Sequence, residues 1–181
     1  LGDTVPDHLK QAGDLRLDFS KNRLTRETIG LLAALAERAG LRERTAELRY
    51  IHPERQILLT LPDTPTMARV DVRLMDRVLD NLINNALRYS QRTLRISLDV
   101  DESQRVLAVE DDGPGIPEQE RERVFDPFVR LDPSRDRATG GCGLGLAIVR
   151  SIAVAMKGQV AVDTSRDGGA RFRFSWPSEG L

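Results

Sequence analysis

Four short stretches of this 181-residue chain carry side chains suited to chemistry. In Asn81-Leu82-Ile83-Asn84-Asn85-Ala86-Leu87-Arg88-Tyr89, two amides at helical spacing, Asn81 and Asn85, are followed by the Arg88 guanidinium. Asp111-Asp112-Gly113-Pro114-Gly115-Ile116 is a carboxylate leading into a Gly-x-Gly turn. Phe125-Asp126-Pro127-Phe128 sets two rings around a proline, and Gly140-Gly141-Cys142-Gly143-Leu144-Gly145-Leu146 is a second glycine turn. An amide oxygen is a hard ligand of the kind Mg²⁺ takes, and Mg²⁺ usually binds substrate phosphates as well. A carboxylate at a strand end accepts a hydrogen bond from an exocyclic amine such as that of adenine. Glycines let a ligand approach the backbone, and N–H groups at a helix start attract anions. Together these chemistries describe a pocket for a magnesium nucleotide.

Each stretch also has a plainer reading. Asn81 and Asn85 fit a solvated helix face, although Asn is a poor helix former and a buried amide without partners costs about 1–3 kcal/mol. Asp111 to Gly115 fits an ordinary Asp-Gly turn, and Gly141, Gly143 and Gly145 fit close helix packing. Phe125 and Phe128 fit a hydrophobic anchor, one that would also set where the next segment swings. That segment carries Arg130, Arg135 and Arg137, which could close over phosphates or stay solvated beside Asp132 and Asp136. The glycine pattern is neither a Walker loop, since no Gly-Lys-Ser/Thr occurs, nor a dinucleotide-binding G-x-G-x-x-G in a βαβ unit. Cys142 reads as a tolerated small residue. His8 and His52 stand in no base-and-nucleophile arrangement, and Trp176 alternates with Phe172 and Phe174 as core.

These residues need elements to place them. Residues 1–14 read as a linker or tail and 15–181 as one domain. Alternation predicts strands at Leu15 to Phe19, Gln56 to Leu61, Thr93 to Val100, Arg105 to Glu110, Gln159 to Thr164 and Arg171 to Trp176, with a short one at Met67 to Val70. Apolar stripes predict helices from Thr25 to about Ala46, Arg73 to Tyr89 and Leu144 to Met156, and a short one at Glu118 to Val124. In the second of these, Met75, Leu79, Leu82 and Ala86 form the core stripe, beside a stripe of Leu74, Val78, Asn81, Asn85 and Arg88. Residues 129–142 read as a loop. Clustered hairpins with interspersed helices give an α+β sandwich rather than a doubly wound parallel sheet.

Composition sets outer bounds. Lys plus Arg total 27 against 28 Asp plus Glu, a balance that argues against nucleic acid as a partner. One Cys permits neither an internal disulfide nor a cysteine metal cluster. No apolar run approaches the ~20 residues of a membrane helix. The first residue is Leu, not Met, and the chain reads as a soluble piece of a longer parent.

The four motifs in this order resemble the ATP-binding catalytic domain of bacterial two-component sensor histidine kinases, in the superfamily shared with DNA gyrase, MutL and the large heat-shock chaperones. VLDNLINNALRYS resembles the N box, VEDDGPGI the first glycine box, VFDPFVRLD the F box and GGCGLGLAIV the second glycine box. GGARFRFSWP resembles the closing strand. The likeness spans roughly residues 15–177, and FVRLDPSRDRATGGCGLGLAIV is particularly similar to RstB-type kinases that partner OmpR-like response regulators. The resemblance implies a Bergerat-type ATP-binding fold: a two-layer sandwich of a mixed, mostly antiparallel sheet on about three helices. It implies ATP and Mg²⁺, with Asn85 the metal ligand and Asn81 supporting it. It places Arg88 on phosphate, Tyr89 against the base or ribose and Asp111 on the adenine amine. Gly113, Gly115, Gly141, Gly143, Leu144 and Gly145 shape the pocket with Phe125 and Phe128, and Arg130 and Arg135 match basic lid positions. Cys142 and Ala170 stand where the family often has Ser or Thr. No His-Glu-x-x-Thr-Pro phosphoacceptor box occurs and no dimerising helix hairpin is visible. A catalytic group within the chain is therefore not expected. The expected partners are a dimerisation and phosphoacceptor domain and, through the parent, an OmpR-like regulator. The chain itself would be monomeric and the parent a homodimer on the cytoplasmic side of the inner membrane. The alternatives are a gyrase- or MutL-like ATPase and a nucleotide-sensing module without catalysis.

Overall fold

The computed structural model describes residues 9–12, 15–18, 40–62, 71–100, 103–131 and 143–178. The expected strand at Met67 to Val70, most of the helix from Thr25, and Arg135, Arg137, Gly141 and Cys142 lie outside these residues. In chain order the elements are β1 (Leu9–Ala12), β2 (Leu15–Asp18), α1 (Leu41–Ile51), β3 (Gln56–Thr60), α2 (Val72–Tyr89), β4 (Thr93–Val100), β5 (Gln104–Asp111), α3 (Gly145–Ala155), β6 (Gln159–Thr164) and β7 (Ala170–Pro177). The short helix expected at Glu118 to Val124 is two 3₁₀ turns, Glu118–Glu120 and Arg123–Phe125.

Helix α2 starts where sequence chemistry starts it. The Asp71 carboxylate accepts from the backbone N–H groups of Arg73 (2.9 Å) and Leu74 (3.4 Å), satisfying donors that a helix start leaves without partners. Met75, Val78, Leu79, Leu82, Ile83 and Ala86 then recur at helical spacing and are all buried. The expected core stripe of Met75, Leu79, Leu82 and Ala86 is therefore the packed face. Val78 joins it from the neighbouring stripe, while Asn81 and Asn85 sit half-buried at its margin.

The main sheet has five strands in the order β3-β4-β5-β7-β6. Strand β3 runs parallel to β4, and every other neighbouring pair is antiparallel. Two of the pairs are the hairpins expected from sequence, β4 with β5 and β6 with β7. Alternation puts Leu94, Ile96 and Leu98 of β4, Leu107 and Val109 of β5, and Phe172, Phe174 and Trp176 of β7 on the face that α2 and α3 cover. The result is a mixed sheet with helices on one face, the α+β sandwich expected.

Leu9–Ala12, read as part of a tail, pairs antiparallel with Leu15–Asp18, with Ala12 opposite Leu15. The Leu-Lys-Gln-Ala run has too little alternation to announce a strand, but the Gly13-Asp14 pair between the two segments is a recognised hairpin signal.

Candidate nucleotide site

Asp111 is the last residue of the central strand β5. Strand parity places its side chain on the helix-covered face, in line with Leu107 and Val109, and only 3% of it is exposed. Its Oδ1 accepts from the backbone N–H groups of Gly113 (2.9 Å) and Ala170 (3.1 Å). Its Oδ2 is buried with no partner among the described residues. Burial pushes the carboxyl above the usual carboxylate range; the N–H groups of Ala170 and Gly113 pull back, and the neighbouring Asp112 charge adds to the rise. A buried acceptor without a partner costs about 1–3 kcal/mol. A carboxylate with one oxygen clamped and the other unmet fits a ligand that brings a donor, such as an exocyclic amine.

The surrounding turns leave space that only glycine provides. A Cβ at Gly113 would lie 2.4 Å from the Tyr89 carbonyl oxygen, and one at Gly169 would lie 2.3 Å from the Asp111 carbonyl oxygen and 2.5 Å from its Oδ1. The β6–β7 turn therefore presses directly on the aspartate. Ser165, buried, fastens it there by donating from Oγ to the Asp111 carbonyl oxygen (2.7 Å). Gly115 has φ +70°, a left-handed conformation that favours glycine. Arg121 holds this first glycine turn to β6, donating to the Ile116 carbonyl (3.3 Å) and to Thr164 Oγ1 (2.8 Å). Arg95 pairs with Asp167 at 3.1 Å and fixes the β6–β7 turn to β4.

The other end of the site lies where α2 meets α3. Asn81 Nδ2 donates to the Arg77 carbonyl (2.7 Å), which leaves its Oδ1 directed away from its own helix. That oxygen meets the start of α3, where a Cβ at Gly145 would stand 2.6 Å from it. Among the described residues no side chain caps α3, and its first turn holds no acid, so the N–H groups there are open to an anion. Gly143, at φ +72°, accepts from the Phe128 N–H (3.0 Å). Phe128 itself has φ +66° and is 68% exposed. Phe125 is the anchor of the pair: it is buried and packs edge-on to Phe172 with ring centroids 6.2 Å apart. Arg150 of α3 pairs with Asp126 at 3.4 Å and ties the phenylalanine turn to that helix.

The sequence-predicted residues thus assemble in two groups along α2. Asp111, Gly113 and Tyr89 meet at its C-terminal end, with Gly115 in the adjoining turn. Asn81, Gly143, Leu144, Gly145, Phe125 and Phe128 gather near the start of α3. Asn85 lies between, one turn from Asn81, and Arg88 is exposed on the next turn. From Asn81 to Tyr89 the helix advances about 12 Å. Arg130 lines a groove of about 290 Å³ with Pro117, Glu120, Arg123 and Leu131. Among the described residues no three His, Cys, Asp or Glu converge on a metal position. The oxygen donors suited to Mg²⁺ are the amides of α2, to which a bound phosphate would add its own. Residue reading alone passed over Ser165, Gly169 and the structural use of Asp112. The Asp167-Gly168-Gly169 run signalled a hairpin, but a turn signal does not say which distant strand the turn will press upon.

Residues 70–180 match the family described as histidine kinase-, DNA gyrase B-, and HSP90-like ATPase. The chain belongs to that family. Sensor protein RstB of Escherichia coli K12 is 57% identical over 132 residues, which cover 73% of this chain and 30% of RstB. The mycobacterial sensor histidine kinase MprB superposes with a TM-score of 0.64 at 28% identity, covering 79% of this chain and 95% of that one. Full-length ShkA, solved in complex with AMPPNP, gives 0.63 at 29% identity, covering 78% of this chain and 30% of ShkA. The chain accordingly spans under a third of the length of RstB.

Proposed function

We propose that this chain is the ATP-binding catalytic domain of a sensor histidine kinase, one that holds Mg-ATP and presents its γ-phosphoryl to a histidine on a separate dimerisation domain. The observation that carries the reading is Asp111: a buried strand-end carboxylate whose Oδ2 has no partner among the described residues, walled by glycines. Adenine brings an amine donor to that oxygen. RstB is a sensor protein and MprB a sensor histidine kinase by name, and the ShkA structure holds an ATP analogue, which supports extending the reading to this chain.

Each residue then has a task. Asp111 accepts from the adenine amine, and Tyr89 lies against the base or ribose. Asn85, supported by Asn81, holds Mg²⁺, and Arg88 meets phosphate. Bound Mg²⁺ supplies neutralisation of phosphate charge. The first turn of α3 offers N–H groups, and Gly143 and Gly145 leave them accessible. Arg130 and Arg135 are proposed to meet the phosphates from the segment between the glycine turns. Phosphoryl transfer depends chiefly on positioning and charge stabilisation, and these residues supply both. By the same reading the parent is a homodimer at the cytoplasmic side of the inner membrane, acting on an OmpR-like regulator. No helix of the described residues is long and apolar enough to cross a membrane.

Calorimetric titration tests the reading. Mg-ATP is expected to bind one site, with loss of affinity when EDTA removes the metal. Absence of Mg-dependent binding would overturn it, and rapid steady hydrolysis by the chain alone would favour a gyrase-like ATPase instead.

A further inference from the structure

The segment joining α2 to β4, Ser90-Gln91-Arg92, is gripped from two sides. On one side Arg55, its side chain only 20% exposed, donates from Nη1 to the Ser90 carbonyl (3.2 Å) and to Ser90 Oγ. On the other, the Asp112 carboxylate accepts from three successive backbone N–H groups: Gln91 (2.8 Å), Arg92 (3.1 and 3.0 Å) and Thr93 (3.0 Å). Arg55 takes the acceptors of the turn and Asp112 takes its donors. The Gln56 N–H adds a bond to the Arg92 carbonyl (2.8 Å).

A link between a helix and a strand closes without such a double grip, because water satisfies exposed turn groups at little cost. What the grip fixes is the placement of the turn's two neighbours. Tyr89 precedes the turn directly, and its carbonyl oxygen abuts Gly113. Asp112 lies between Asp111 and Gly113, so the carboxylate that seizes the turn is one residue from the carboxylate with the unmet oxygen. Tyr89 and Asp111 come from different elements; Asp112 ties the turn after Tyr89 to the end of β5, and Arg55 braces the same turn from the loop before β3.

We propose that Arg55 and Asp112 are positioning residues for base recognition, acting through the Ser90–Thr93 turn to hold Tyr89 and Asp111 at the spacing an adenine ring requires. The proposal rests on the reading of Asp111 as the adenine acceptor. Neither residue touches the base. Both set the aim of groups that do, and a small misplacement of a recognition group is enough to forfeit its hydrogen bond.

The experiment compares Mg-ATP with Mg-inosine triphosphate, which carries a carbonyl where adenine carries the amine. The ratio of the two affinities reports the aim of Asp111 and not the general health of the fold. Calorimetry and melting temperatures are measured for the unmodified chain, Arg55→Gln, Asp112→Ala, Asp112→Asn and the Arg55→Gln/Asp112→Ala pair. The unmodified chain is expected to prefer ATP by about tenfold or more. Arg55→Gln and Asp112→Ala should each lose most of that preference, with inosine triphosphate affinity changed by less than about twofold. Asp112→Asn keeps an acceptor oxygen and should recover part of the ratio, and the double variant should be little worse than the worse single. Arg55→Gln lies outside the hydrophobic core and keeps the test decisive if Asp112→Ala melts. Parallel loss of both affinities, tracking melting temperature, would overturn the proposal and leave Arg55 and Asp112 as purely structural. An unmodified chain that binds neither nucleotide would instead sink the nucleotide reading, and this proposal with it. Equal binding of both would sink the role of Asp111 and leave nothing for the two residues to aim.

Discussion

Asp111 and its neighbour Asp112 are consecutive carboxylates shifted in opposite directions. For Asp112, burial alone would raise the pKa, but the N–H groups of Arg92, Thr93 and Gln91 outweigh it and hold the carboxyl below the usual range. Its contribution to stability is therefore present above the unfolded carboxylate range and lost as pH falls through the lowered native value. For Asp111 burial wins, and the sign reverses. Its contribution is complete at pH below the unfolded value and declines as pH rises through the raised native one. Nucleotide binding opposes that trend, because the ionised Oδ2 is the better acceptor for an amine. ATP affinity should accordingly fall as pH drops through the raised native pKa of Asp111, with proton release on binding in that window. Titrations in two buffers of different ionisation enthalpy would read the released proton directly. In Asp111→Asn the side-chain carbonyl can keep the Gly113 and Ala170 bonds, which turns an NH₂ toward the adenine amine. ATP affinity should drop by roughly 1.5–3 kcal/mol, while inosine triphosphate, with a carbonyl there, should lose far less. Asn85→Ala should leave ATP binding nearly indifferent to Mg²⁺, seen as superposed titrations with and without the metal.

The two glycine turns act as separate elements, and alanine separates their tasks. Gly169→Ala would drive a Cβ against backbone, 2.3 Å from the Asp111 carbonyl oxygen. Backbone cannot swing aside, so about 1–3 kcal/mol of stability should go, with loss of ATP binding and a melting temperature several degrees lower. Gly145→Ala meets instead the far end of the Asn81 side chain at 2.6 Å, which can rotate away. Alanine also suits the first turn of a helix by up to about 1 kcal/mol. That variant should melt no lower than the parent yet weaken the Mg²⁺ dependence of ATP binding, a split visible by pairing thermal denaturation with calorimetry. Much of this was legible in the residues. The stripe ending in Asn81 and Asn85, the strand leading into Asp111 and the glycines after Gly143 sit where periodicity and turn chemistry put them. Ser165 and Gly169 were not legible, because their roles come from strand order. β7 lies beside β5, a pairing between segments more than 60 residues apart in sequence, and only that adjacency brings the β6–β7 turn onto Asp111. Leu9–Ala12 escaped notice for a local reason: four residues with a single strong apolar position carry too little pattern.

At the scale of the whole molecule, what matters is where a nucleophile could stand. An acceptor must lie in line with the γ-phosphoryl, at the end of the site marked by Asn81 and Gly145. The chain has two histidines. His8 lies outside the described residues. His52 caps α1, is 31% exposed and stands 3.6 Å from Glu54. Its carbonyl accepts from the Arg55 N–H (3.0 Å), and Arg55 reaches Ser90 at the far end of α2. That end holds Tyr89 and Gly113, where the base would lie, about 12 Å along the helix from Asn81. His52 is therefore at the wrong end to receive phosphate. The prediction is that the chain binds Mg-ATP without labelling itself. Incubated with γ-labelled ATP it should carry no acid-labile phosphate. With a separately produced phosphoacceptor hairpin from an RstB-type kinase, label should appear on the added protein and not on this chain. Asn85→Ala should abolish that transfer. Acid-labile phosphate on the chain alone would overturn the division of labour proposed for the two domains, and its loss or survival in His52→Gln would tell whether His52 is the acceptor.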